Sequence, residues 1–173
     1  VLMDLKYKRR RIQKPNVILL TDISGSMLKY SGFLLEMMMG LSAVLPNIRS
    51  YVFAERLQKL DLKTFDIDTF AKDHELGDGT NIHNSLLAFL TECDRILNRK
   101  TVLIILSDTK TVEYREAVEQ LRYISGKVKE ILWLNPLPAE EWLRFAQTKA
   151  FLPWVTMVEA SSIQSLTRAL KDI

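Results

Sequence analysis

Two stretches of the chain end an apolar run in an acid, and the first also carries two hydroxyls. Residues 16–27 read NVILLTDISGSM, so Asp22, Ser24 and Ser26 follow an apolar run long enough for one buried strand. A straight strand would spread these three side chains over about 13 Å, so they converge only if the chain curls. Gly25 would permit the curl, because glycine tolerates left-handed and strained backbone conformations. Converging hard oxygen ligands suit Mg²⁺ or Mn²⁺ better than zinc.

The second stretch, residues 101–108, reads TVLIILSD and places Asp108 at the end of another strand. In an open parallel sheet, ligands bind beyond the carboxyl ends of the strands, so neighbouring strands would aim Asp22 and Asp108 at one spot. Two carboxylates about 4 Å apart repel by about 4 kcal/mol at an effective dielectric constant near 20, and a cation removes that repulsion. Between the two stretches, residues 77–82 read GDGTNI and present the hydroxyl of Thr80 just before a helical pattern begins.

The order Asp22-x-Ser24-x-Ser26, then Thr80, then Asp108 resembles the metal-ion-dependent adhesion site (MIDAS) of von Willebrand factor A (VWA) domains. The resemblance implies that these five residues hold Mg²⁺ (or Mn²⁺) and that an acidic residue of a partner protein completes the metal site. The family pattern usually has glycine after the last aspartate, whereas this chain has Thr109. The resemblance predicts an interaction domain with no enzymatic activity. The departure at Thr109 concerns the shape of the loop after Asp108.

Within that superfamily the chain is most similar to the CoxE-like branch. The motifs that carry this similarity are residues 77–82 and residues 133–137, WLNPL, followed by Trp142. The similarity implies partnership with a MoxR-type AAA+ ATPase in protein remodelling or metalloenzyme maturation. It also implies that an N-terminal helical region precedes residue 1, where the chain opens at Val1 without an initiator methionine.

The spacing of apolar runs predicts a three-layer α/β fold with a mostly parallel sheet of about six strands and one antiparallel edge strand. We expect helices at residues 27–45, 81–97, 112–124 and 161–170, with a further helix that begins near Pro138. We expect strands at residues 15–22, 49–57, 101–107, 130–134 and 155–158, and a less distinct third strand among the apolar residues from 60 to 70. The resemblance makes this a Rossmann-like VWA fold that occupies residues 15–173.

Composition and charge describe a globular chain with a basic start. The chain has 173 residues, 47% of them hydrophobic, with no apolar run long enough to span a membrane and a single cysteine, Cys93. Residues 1–14 hold six basic residues and one acid, a net charge of +5, so the remainder carries −2 of the total of +3. We interpret residues 1–14 as a solvated tail or linker; contact with nucleic acid or an anionic surface is the alternative. No signal peptide is evident, so a cytoplasmic location is the default expectation.

An enzymatic alternative uses the same first acid. Haloacid-dehalogenase-like phosphotransferases also end a first strand in an aspartate, which acts as the nucleophile beside Mg²⁺, and Asp22 would take that role. Those enzymes usually carry a second aspartate two positions later, where this chain has Ser24. His74 and His83 are interpreted as surface or helix residues and Cys93 as a packing residue.

Overall fold

A computed structural model describes residues 16–45, 48–62, 64 and 79–160 of the chain. It contains a six-stranded sheet in the order β3-β2-β1-β4-β5-β6, in which only β3 runs antiparallel to its neighbour, at one edge. The strands are β1 (Asn16–Asp22), β2 (Arg49–Phe53), β3 (Leu57–Leu60), β4 (Thr101–Leu106), β5 (Glu130–Asn135) and β6 (Thr156–Glu159). The predicted mostly parallel sheet with one antiparallel edge strand is confirmed.

Helices cover both faces of this sheet. They are α1 (Ser31–Val44), α2 (Ile82–Cys93), α3 (Tyr114–Lys127), α4 (Ala139–Trp142) and α5 (Ala146–Phe151), with short 3-10 helices at Gly25–Tyr30, Asp94–Ile96 and Leu152–Trp154. Alternate residues of the strands enter two separate buried clusters, as the two-residue period of a strand requires. Helices α2, α3 and α5 close one cluster and α1 closes the other, which gives the predicted three layers.

The central strands are apolar along their whole length. Every residue of β4 is buried, and so are the residues of β1 after Asn16. Strands buried on both faces lack polar alternation, which explains why the sequence placed both ends of these two strands to within one residue. Cys93, the last residue of α2, is 1% exposed and packs in the buried cluster that α2 closes, as expected.

Several predicted boundaries were wrong. The second strand ends at Phe53 rather than at residue 57, because Ala54, Glu55 and Arg56 form a tight turn that reverses the chain into β3. The third strand therefore starts at Leu57, earlier than predicted, and residues 65–70 lie outside the described part of the chain. The first helix begins as a 3-10 helix and becomes an α-helix only at Ser31.

The end of the chain was predicted less completely than its centre. The helix near Pro138 is a single turn, and the sequence analysis did not separate it from α5. Helix α3 spans Tyr114–Lys127, which is shifted toward the carboxyl end relative to the predicted 112–124. The predicted closing helix at 161–170, His74 and residues 1–15 lie outside the described residues.

Candidate metal site

The register of the central strands brings the two predicted acids to the carboxyl ends of neighbouring strands. Strands β1 and β4 pair in parallel up to Thr21 and Leu106, so Asp22 and Ser107 follow the last registered pair together. Asp108 comes one residue later. Both carboxylates are fully buried, with 0% of each residue exposed. The sheet thus places Asp22 and Asp108 at the carboxyl ends of adjacent strands, as expected for a ligand site in an open parallel sheet.

Asp22 is held by two hydrogen bonds. The backbone N–H of Ser24 donates to Asp22 Oδ1 at 2.9 Å, and the hydroxyl of Ser107 donates to Asp22 Oδ2 at 2.6 Å. Burial raises the pKa of Asp22 to about 6 in spite of these bonds, which lower it, and the negative charge of Asp108 adds a smaller upward contribution. The raised pKa means that the ionised carboxylate lacks an adequate counter-charge in its surroundings.

Asp108 is held by the residue two positions later. The backbone N–H of Lys110 donates to Asp108 Oδ1 at 3.1 Å, and the Lys110 ammonium lies 3.2 Å from Asp108 Oδ2. That oxygen is buried and accepts no hydrogen bond from the described residues, so its contact with Lys110 is an ion pair without hydrogen-bond alignment.

The loop after β1 curls as the convergence of its side chains requires. The N–H of Met27 bonds to the carbonyl oxygen of Ser24 at 2.9 Å, which starts the 3-10 helix, and the hydroxyls of Ser24 and Ser26 lie 3.3 Å apart. Ser24 is buried and Ser26 is half-buried. The left-handed conformation allowed by Gly25 is not used, since none of the described glycines has a positive φ. An ordinary 3-10 turn is enough to bring the two hydroxyls together.

Hydrogen bonds also tie the Thr80 segment to the loop after β4. The hydroxyl of Thr111 donates to the carbonyl oxygen of Thr80 at 3.1 Å and accepts from the N–H of Ile82 at 2.9 Å. The N–H of Asn81 bonds to the carbonyl oxygen of Ala54, just beyond β2, at 3.3 Å. Thr80 is half-buried. The three segments that carry the five predicted residues therefore lie together at the carboxyl ends of the central strands and are linked by hydrogen bonds.

The residue after Asp108 adopts an unusual backbone conformation. Thr109 has φ of 66°, in the left-handed region that glycine occupies easily and β-branched residues rarely enter. Its hydroxyl donates to the carbonyl oxygen of Asp108 and contacts the hydroxyl of Thr148 on α5. Thr109 thus adopts a conformation that glycine enters more easily, and its two side-chain contacts help to hold it there.

Three residues near the site were not singled out from the sequence. Ser107 bonds to Asp22, Thr148 contacts Thr109, and Lys110 pairs with Asp108. Of these three, Ser107 had a signal in the sequence, because it ends an apolar strand directly before Asp108. Trp133, part of the CoxE-like motif, donates from Nε1 to the carbonyl oxygen of Ser107 at 2.9 Å and so supports the loop from beneath.

Comparison with known proteins agrees with this fold and motif. A family profile described as "VWA domain containing CoxE-like protein" matches residues 1–168. The chain belongs to this family. The match includes the basic residues 1–14, and the domain boundary after residue 14 stays a prediction. No curated protein matches the chain.

Solved structures show that the VWA fold is shared at low sequence identity. The manganese-loaded TRAP protein of Plasmodium vivax has a TM-score of 0.64 and 13% identity over 92% of this chain and 72% of its own. Proximal thread matrix protein 1 from the mussel byssus has a TM-score of 0.58 and 14% identity over 91% of this chain. A second structure of that protein carries zinc in its MIDAS motif, with a TM-score of 0.56 and 13% identity over 88% of this chain. This VWA domain spans 46% of the mussel protein in both cases.

Two features are absent from the described residues. Among the described residues, no group of three or more histidine, cysteine, aspartate or glutamate residues is arranged to hold a metal. No helix within the described ranges is both long and apolar enough to cross a membrane.

Proposed function

We propose that Asp22, Ser24, Ser26, Thr80 and Asp108 hold a divalent cation, Mg²⁺ or Mn²⁺, which binds an acidic residue of a partner protein. The observation that carries the proposal is the pair of buried carboxylates at the ends of β1 and β4. Among the described residues, Asp22 has hydrogen bonds but no ion pair, and Asp108 Oδ2 has the partly exposed Lys110 ammonium but no hydrogen bond. Buried charges need compensation, and a divalent cation supplies it to both carboxylates at once.

The donor set fits a hard cation better than a soft one. Two carboxylates and three hydroxyls are all oxygen ligands, and Mg²⁺ prefers oxygen and readily retains water. When bound, such a cation supplies a positive charge that a carboxylate of the partner can contact. The two carboxylates would balance its charge, but five protein ligands would leave one of the six oxygen positions that Mg²⁺ prefers open to that carboxylate. The manganese-loaded TRAP protein and the zinc-occupied mussel protein support a divalent ion in this fold, and the choice of Mg²⁺ is part of the proposal.

A binding role is favoured over phosphoryl transfer. Phosphotransferases that end a first strand in a nucleophilic aspartate usually carry a second aspartate two positions later. The position of the usual second aspartate holds Ser24, which is 2% exposed and contacts Ser26. We therefore propose that the domain recognises a protein and performs no chemistry itself.

Membership of the CoxE-like family supports a more specific partner. We propose that the acidic residue belongs to a complex containing a MoxR-type AAA+ ATPase, and that the domain acts in the cytoplasm in protein remodelling or metalloenzyme maturation. What supports this step is the family match over residues 1–168 together with the motif around Trp133. Nucleic acid and membranes are not part of the proposal.

Thermal unfolding with and without metal tests the site. A cation that binds only the folded protein at about 100 times its dissociation constant adds about 2.7 kcal/mol, which raises the Tm by about 5–10 °C for a chain of this size. We expect this rise with Mg²⁺ or Mn²⁺ relative to EDTA for the wild type, and none for Asp22→Asn. Asp94→Asn is the matched control, because Asp94 pairs with Lys127 and precedes β4, whereas Asp108 follows the end of that strand. A rise of equal size in wild type and Asp22→Asn would refute the site.

Capture of the partner tests the function. We expect the wild type with Mg²⁺ to recover a MoxR-type ATPase from cell extract, and expect recovery to fall at least about tenfold with EDTA or with Asp22→Asn. Asp94→Asn should recover as much as the wild type. Equal recovery by wild type and Asp22→Asn would show that the interaction does not pass through the metal. Turnover of a phosphate ester that Asp22→Asn abolishes would favour the enzymatic alternative instead.

A further inference from the structure

The loop after β4 carries a cation of its own. Lys110 Nζ lies 3.2 Å from Asp108 Oδ2, and the backbone N–H of the same residue donates to Asp108 Oδ1. The carboxylate is fully buried, whereas the Lys110 side chain is 43% exposed. A single residue therefore contacts both oxygens of Asp108, and its ammonium reaches the carboxylate from the solvent side.

This ion pair involves one carboxylate of the site and not the other. Asp22 forms no ion pair within the described ranges, and its oxygens accept hydrogen bonds from Ser24 and Ser107. Lys110 contacts Asp108 Oδ2, which accepts no hydrogen bond from the described residues and so has lone pairs that a metal could use. Lysine and metal would therefore use the same atom.

We propose that Lys110 is an internal counter-ion that occupies the Asp108 side of the metal site and is displaced when a divalent cation binds. The proposal rests on the metal site proposed above. An ammonium and a divalent cation at one oxygen repel each other, so their binding is competitive. Lysine suits such an exchange, because its flexible stem can move a strongly hydrated charge into water. Lys110 accordingly stabilises the metal-free protein and weakens the affinity of the site for metal.

Calorimetric titration with MgCl₂ and MnCl₂ tests the exchange. Removing a partly exposed lysine that competes for one ligand should tighten the metal Kd about five- to tenfold in Lys110→Met. Lys110→Arg keeps the positive charge and should remain close to the wild type. Lys127→Met is the matched control, because it removes another lysine–aspartate pair, with Asp94, away from the site. It should leave the Kd unchanged.

Thermal unfolding of the same variants separates competition from a structural role. Lys110→Met should lower the Tm in EDTA and show a larger rise with metal than the wild type, whereas Lys127→Met should lower the Tm equally in both conditions. If Lys110→Met does not fold in EDTA, Lys110→Gln replaces it with the same expectations. A Kd in Lys110→Met or Lys110→Gln equal to or weaker than that of the wild type overturns the inference. Absence of metal binding in wild type and all variants refutes the metal site itself.

Discussion

The pH dependence of unfolding gives a direct test of the buried carboxyl of Asp22. Burial raises its pKa from 3.8 to about 6 in the metal-free protein. A carboxyl with a higher pKa in the folded protein than in the unfolded chain binds its proton more tightly when folded. Its contribution to stability is therefore fully present below a pH of about 3.8 and is lost as the pH rises through about 6.

The size of this effect follows from the shift. A difference of about two pKa units corresponds to about 3 kcal/mol over the whole titration, of which about 2 kcal/mol falls between pH 7.5 and pH 4.5. For a chain of this size that is a Tm change of about 4–8 °C. In EDTA, the wild type should gain this stability on acidification relative to Asp22→Asn, which has a similar shape and cannot ionise.

The assay is denaturation of wild type and Asp22→Asn in EDTA at several pH values. Other carboxyl groups titrate in both proteins, so the difference between the two free energies of unfolding isolates Asp22. With saturating Mg²⁺ the trend should reverse for the wild type, because metal binds the ionised carboxylate and its stabilising effect declines below about pH 6. A difference in EDTA that stays flat between pH 4.5 and 7.5 would refute the assigned environment of Asp22.

Two further predictions concern contacts around the site, and urea denaturation measures both. Thr148→Val keeps the shape of the side chain but removes the buried hydroxyl that contacts Thr109, and should cost about 1 kcal/mol; a loss near zero would contradict a role for this contact. Asn81→Ala removes the side-chain oxygen that accepts from the N–H of Asn84 at the start of α2 and should cost about 1 kcal/mol. Asn81→Ser loses the same Nδ2 bond to Glu113 as alanine does but keeps a capping oxygen, so it should retain most of the stability, and a loss as large as that of alanine would contradict the cap.

The core of the fold could be predicted because its signal is strong and local. Residues 101–106 are apolar without interruption, and β4 occupies this span with every residue buried. The edge of the sheet gave a weaker signal. Strand β3 has only half-buried or exposed residues, so neither burial nor alternation marked its start, and the turn at Ala54–Arg56 was read as a continuation of β2. Burial on both faces makes a strand visible in sequence, and partial burial does not.

The sequence predicted that Asp22 and Asp108 lie at the ends of adjacent strands, but not which side chains contact the loops that carry them. Asp22, Ser24, Ser26, Thr80 and Asp108 stand in a recognisable order. By contrast, Thr148 is about forty residues from Thr109 in sequence, and nothing local indicates that their hydroxyls meet. The left-handed φ of Thr109 was equally hidden, because β-branched residues avoid that region unless tertiary contacts compensate the strain. Contacts of this kind depend on how α5 packs against the sheet.

The register between β1 and β4 decides how the two carboxylates can cooperate. Thr21 is level with Leu106, so the residue beside Asp22 is Ser107 rather than Asp108. Ser107 donates to Asp22 and accepts from the N–H of Thr109 at 3.1 Å, so one hydroxyl joins the first carboxylate to the loop that carries the second. A register shifted by one residue would turn this hydroxyl to the other face and set the two acids directly side by side. The serine between them therefore separates the charges and still couples their positions.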